Sequence, residues 1–235
     1  MKKRQRQSAG KNKTKALAYI TGVYLGDGCI TKVQGYWRFR LNTIDREFAE
    51  ATMEALEVLL GRRTKIFGPY KDKRYSKSKP FWSISIGVKD LFWMKEATGN
   101  KAIVPKYIKL GSVEEKREFI AGVMDSEGFI AKAKWVTNRN GHHWEGKRFL
   151  LGVGATEGWI DEFIAVAMSI GVLPNKRNDY TITSTGKRKV SYLLNKESFL
   201  KAGCYFKIKR KQNRLLEYAR LIGFISSETT RSAQK

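Results

Sequence analysis

The segment ITGVYLGDG at positions 20–28 is followed one hundred positions later by a close copy, IAGVMDSEG at 120–128. Each is an apolar run of helical character that ends in an acid followed by glycine. A chain with two such copies folds most simply as two related units. The surrounding elements repeat as well. FAEATMEALEVLLG (48–61) reads as an amphipathic helix stopped by Gly61, and WIDEFIAVAMSIG (159–171) as another stopped by Gly171. GVKDLFWMKEATG (87–99) matches LNKESFLKAG (194–203) as a short helix. Alternating segments such as YWRFRLN, FWSISIG, FLLGVG and VSYLL read as strands between them. Each half therefore reads αββαββα, an α+β fold of two pseudo-symmetric halves.

The expected boundaries follow. Residues 1–15 hold seven Lys or Arg and read as a flexible basic arm. The first half covers 16–111. The second covers 112–225, opening on Ser112 with Glu115 three residues on, a capping-box pattern. Residues 226–235 read as a disordered tail. The 235 residues are 42% apolar, enough for a packed interior.

Charge narrows the function. Lys and Arg number 46 against 22 Asp and Glu, a net charge of +24. The four strand-bearing segments (30–44, 62–88, 129–155 and 173–192) hold 21 basic residues and only Asp72, Glu145 and Asp179 as acids. Most other acids sit on helices. Basic strands beside acidic helices predict one strongly positive sheet surface, the footprint of duplex binding. Candidate DNA contacts are Arg38, Arg40, Lys65, Lys71, Arg139, Arg148, Lys176, Arg177, Lys187 and Lys189. Arg and Lys at such positions either read base edges or hold phosphates. Trp37, Trp82, Trp135 and Trp144 are expected to pack in the sheets rather than stack on single-stranded bases.

Two isolated cysteines, Cys29 and Cys204, form neither a disulfide framework nor a zinc-finger spacing. His142 and His143 are the only histidines, which leaves carboxylates and metal as the expected basis of any catalysis. The longest uncharged apolar run, 16–26, is far too short to span a bilayer. An intracellular protein is expected, in the cytoplasm or nucleoid of a prokaryote or in an organelle. No protein-splicing block is evident, so a free-standing or intron-encoded protein is expected.

The two copies also carry small residues four apart, Gly22 with Gly26 and Gly122 with Ser126. That spacing lets two helix backbones approach closely. Asp27 and Glu127 would then lie together at two helix C-termini, where carboxylates are disfavoured by both the helix dipoles and each other. A divalent cation would reverse both penalties. Gly28 and Gly128 are expected as left-handed caps. Lys32 and Lys132, each five residues past its acid, are the basic residues expected nearest to any phosphate that such a cation would hold.

At these residues the chain resembles the LAGLIDADG homing endonucleases in their single-chain form with two motifs. The first copy keeps Gly22, Asp27 and Gly28 of the signature. The second keeps Ala121, Gly122, Asp125 and Gly128, with Glu127 as the last acid; Leu25 departs where the first motif Asp would fall. The resemblance, over roughly 14–222, implies that the motif helices form the interface between halves. It implies that each half gives a curved antiparallel sheet to a saddle over double-stranded DNA, and that the protein acts as a monomer. It implies metal ligation by Asp27 and Glu127 with the carbonyls of Gly26 and Ser126. Mg²⁺ is the expected ion, and Mn²⁺ or Ca²⁺ can take the same sites. Staggered cleavage of a long, partly symmetric site is the implied activity, with Asn42 near a water-organising position. Two alternatives on the same fold are an RNA maturase assisting intron splicing and a non-catalytic DNA-binding regulator. Retention of both motif acids favours the nuclease.

Overall fold

The computed structural model describes residues 2–71, 79–139, 142–156, 158–182 and 188–225. Its first half runs α1 (Lys2–Leu25), β1 (Cys29–Val33), β2 (Tyr36–Thr43), α2 (Arg46–Leu60), β3 (Ile66–Tyr70), β4 (Phe81–Gly87) and α3 (Trp93–Ala97). A short α4 (Lys106–Lys109) leads into the second half. That half runs α5 (Val113–Ser126), β5 (Gly128–Arg139), β6 (His142–Thr156), α6 (Trp159–Met168), β7 (Pro174–Ile182), β8 (Arg188–Leu194), α7 (Lys196–Lys201) and α8 (Lys209–Leu221). Each half has one antiparallel four-stranded sheet, in the orders β1-β2-β4-β3 and β5-β6-β8-β7. The duplication seen in the sequence is thus a duplication of topology.

Local signals behave as the chemistry dictates. Gly61 ends α2 at φ 65°, with its N–H on Glu57 O. Ser112 and Glu115 form a reciprocal capping box at the start of α5. One expectation fails at the N-terminus, because α1 begins at Lys2 and takes in the stretch expected as a flexible arm. Lys, Arg, Gln and Ala favour helix, and extending a formed helix needs no new nucleus. The expected tail at 226–235 lies outside the described residues.

Alternation fixes which way each sheet faces. Ile30, Phe39, Leu41, Ile84 and Ile86 are buried on one face of the first sheet. Ile130, Leu151, Val153 and Val190 do the same in the second. The helices pack on these faces. The two cores are shared at the middle: α1 sends Ala18 and Leu25 into the second core, and α5 sends Ala121 into the first. Among the described residues no helix is long and apolar enough to cross a membrane.

Candidate metal-binding centre and nucleic-acid interface

The two motif helices touch backbone to backbone. A Cβ at Gly22 would stand 2.4 Å from Phe119 O, and one at Gly122 only 2.2 Å from Tyr19 O. At the helix tips a Cβ on Gly26 would stand 2.2 Å from Ser126 Oγ and 3.1 Å from Glu127 Cγ. The small residues are therefore required, and they bring Asp27 and Glu127 together. Gly28 and Gly128 serve differently from expectation. Neither is left-handed. A Cβ at Gly128 would meet Met124 O at 2.5 Å, and one at Gly28 would meet Val23 O and the Phe39 ring at 3.0 Å. Each glycine is needed because the strand leaves its helix too tightly for a side chain.

The acids sit in a costly environment. Burial, then the charge of Asp27, pushes the Glu127 carboxyl up to about 7; Lys101, Lys189 and Lys211 pull the other way. Asp27 keeps a solvent-exposed tip, but crowding at the helix ends strips part of its hydration and raises its carboxyl against the pull of Lys101 and Lys211. Among the described residues neither carboxylate is tied into a hydrogen bond or salt bridge. Beside them opens a hollow of about 460 Å³, lined by Gly26, Asn100, Lys101, Glu127, Trp159 and Lys189 among others. Lys101 Nζ donates to Gly26 O at 2.7 Å.

This has a measurable consequence in metal-free protein. A carboxyl raised from 4.5 to about 7 binds more protons folded than unfolded across that window. Its contribution is complete below pH 4.5 and is lost as pH rises to about 7. Buried Asp125, raised to about 6, adds to the same slope. Glu127→Gln should flatten the part of the slope that extends to pH 7. Urea midpoints at a series of pH values measure it, and an unchanged profile in the variant would contradict the assignment.

The donor set suits a hard divalent ion. Among the described residues no cluster of three or more His, Cys, Asp or Glu exists. Two carboxylates without a hydrogen bond or salt bridge among the described residues, with carbonyls nearby and an open side, suit an ion such as Mg²⁺, which keeps waters and takes phosphate oxygens.

The expected DNA contacts separate by face. Arg38, Arg40 and Asn42 lie opposite the buried face of β2, with Arg40 and Asn42 exposed. Arg38 donates to Ser85 Oγ at 2.8 Å and Ser85 O at 3.0 Å, which steers it along β4. Arg148, Lys176 and Lys189 occupy the corresponding face of the second sheet. Lys65 and Lys71 flank β3 and are exposed. Arg177 turns to the helix side instead, 4.0 Å from Asp161 of α6. Arg139 ends β5, paired in register with His142. Lys187 lies outside the described residues. Trp37 stacks on Phe92 at 4.2 Å, and Trp82 packs against the first core.

Lys32 and Lys132 also fall on the helix side. Each is two residues past a buried isoleucine, Ile30 or Ile130, so alternation gives it the buried face. Lys132 Nζ pairs with Glu217 of α8 at 2.6 Å. The lysines that reach the acid pair are others. Lys101 is placed by three successive residues with positive φ, Gly99, Asn100 and Lys101. A lysine held there is strained, a condition that clusters at functional sites. Lys211, only 9% exposed, lies on the buried stripe of α8 with Leu215 and Ala219. Its signal in the sequence was a cation at i, i+4, i+8 spacing with apolar residues.

Comparison with known proteins bears on the fold. Residues 14–92 match the model of the LAGLIDADG-like domain. No curated protein matches the chain in sequence. Among solved structures, mesophilic variants of the homing endonuclease I-DmoI align at TM-score 0.53 and 14% identity, over 80% of this chain and 90% of theirs. I-DmoI in complex with DNA and Mn aligns at 0.51 and 14%, over 80% and 93%. I-WcaI bound to its DNA recognition sequence aligns at 0.52 and 12%, over 85% and 86%. At these identities the likeness is one of fold. Residues 14–92 are thus similar to a LAGLIDADG-like domain, and the second half repeats both its motif and its topology.

Proposed function

We propose that the protein is a site-specific DNA endonuclease that makes a metal-dependent, staggered break in a long, partly symmetric duplex. The observation that carries this is the meeting of two helix C-termini, beside a lysine-lined hollow, with two carboxylates that make no hydrogen bond or salt bridge among the described residues. Asp27 and Glu127 would hold Mg²⁺, or Mn²⁺ or Ca²⁺ in its place, with the Gly26 and Ser126 carbonyls completing the protein's share. Bound ions there supply an activated water and stabilise the leaving oxygen of phosphodiester hydrolysis. Lys101 and Lys189 flank the hollow and offset the charge gathering on the phosphate. Lys101 donates to Gly26 O at 2.7 Å, so that carbonyl would join the ion's ligands only with the ammonium turned toward the phosphate. Asn42, Arg40, Arg38, Arg148 and Lys176 track the duplex from the open faces of both sheets. The basic balance favours a polyanion, and two unlike halves in one chain suit a site with unlike arms.

The test is a cleavage selection on a randomised duplex library, with Mg²⁺ or with chelator. Expected is recovery of one sequence family, cut on both strands at staggered positions, in the Mg²⁺ arm only. Cutting that is equal in chelator, or a library recovered intact in Mg²⁺, refutes the reading.

A further inference from the structure

A helix normally leaves its last carbonyls to water or to a left-handed glycine turn. At the end of α5 there is no left-handed turn, because the chain enters β5 at once through Gly128, which is not left-handed. The oxygens instead receive one ammonium. Lys211 Nζ donates to Met124 O at 2.9 Å, Asp125 O at 2.7 Å and Gly128 O at 2.7 Å. An ammonium has three protons, and here each has an acceptor. We propose that Lys211 is a positioning residue, a resident cation whose grip on three main-chain oxygens sets the direction of the Glu127 carboxylate. The proposal rests on the reading that Asp27 and Glu127 hold metal.

The geometry is specific to that task. Asp125 O and Gly128 O bracket Glu127, whose own N–H bonds Val123 O at 2.8 Å. The main chain is thus pinned on both sides of the acid. Lys211 is itself delivered by a segment fastened to both halves. The Asp125 carboxylate accepts Tyr19 OH from α1 at 2.8 Å and the N–H groups of Lys207 and Ile208 at 3.2 and 3.4 Å. Arg210 reaches Asp45 of the first half at 2.9 Å. Lys101 is the contrast. It holds the end of α1 through Gly26 O, a carbonyl on the open hollow, whereas Lys211 is buried on oxygens turned away from it. One lysine faces the open hollow and the other is built in.

Charge alone and positioning predict opposite signs. Losing a nearby cation strengthens binding of another cation by Coulomb attraction. Losing the clamp weakens it. Lys211→Met should therefore lower Ca²⁺ affinity at least tenfold by calorimetry, with metal-free affinity for a target duplex within threefold of the parent. Lys211→Arg keeps the charge, but its planar fork cannot converge on three oxygens, so it should lose Ca²⁺ affinity too. Either variant, folded and with parent or higher Ca²⁺ affinity, overturns the proposal. Asp27→Asn is the control. Lost affinity there but not in Lys211→Met removes the proposal alone; unchanged affinity in both removes the metal reading and the proposal with it. The unmodified protein gives a measurement that needs no variant. Its Lys211 ammonium resonance in ¹⁵N spectra at pH 6 should persist when Ca²⁺ saturates, and its disappearance on saturation counts against a built-in role.

Discussion

Replacing Gly122 with alanine should lower stability by about 2–4 kcal/mol and the melting temperature by roughly 5–15 °C. The added methyl would stand 2.2 Å from Tyr19 O, a main-chain atom of the facing helix. No rotamer change relieves such a clash; the helices must part. Alanine favours helix over glycine by about 1 kcal/mol, so the net loss understates the steric cost. Gly10→Ala isolates that term, because Gly10 lies on α1 with nothing within 4 Å of its added Cβ. It should be neutral or mildly stabilising. Thermal or urea unfolding of both variants decides the matter: equal stability for Gly122→Ala and Gly10→Ala would mean that the helices are not in contact. The effect should reach the site too. Parting α1 from α5 separates Asp27 from Glu127, and an error of about 1 Å at a reacting centre costs on the order of a hundredfold in rate.

That packing was legible because it is written in local terms. Small residues at a spacing of four, an acid and a glycine repeated after one hundred positions specify two helices that meet at their tips. Gly61 and the Ser112–Glu115 pair specify where helices stop and start. What was misread concerns direction. The spacing of Lys32 and Lys132 from the two acids does not fix their direction, because the face of each strand is set by Ile30 and Ile130 entering the cores. A shift of one residue exchanges the two faces. Part of the basic surplus on the strands consequently meets acids on the helices, as Lys132 meets Glu217 and Arg177 approaches Asp161. The positive face is narrower than composition implies. Lys101 and Lys211 were illegible for another reason. Each reaches its carbonyl across more than seventy positions of chain, a distance over which spacing carries no information. Only the Gly-Asn pair before Lys101, and the apolar company of Lys211 on α8, mark them locally.

Asp27→Asn and Glu127→Gln should each slow cleavage in Mg²⁺ by about a thousandfold or more, some 4 kcal/mol in the barrier. Duplex binding should survive both changes, because the basic faces are untouched and each variant removes a negative charge near the phosphates. The two acids should nevertheless differ with pH. Glu127 titrates near neutrality when metal is absent, so protons compete with the ion for it. On the proposed function, the parent protein in limiting Mg²⁺ should therefore lose activity as pH falls through about 7 and approach the rate of Glu127→Gln near pH 5. High Mg²⁺ should move that loss to lower pH, since the ion then outcompetes the proton. Single-turnover cleavage across pH at two Mg²⁺ concentrations measures both effects. A Glu127→Gln variant that still cuts at the parent rate, or a pH profile indifferent to Mg²⁺, would show that this carboxylate does not hold the ion.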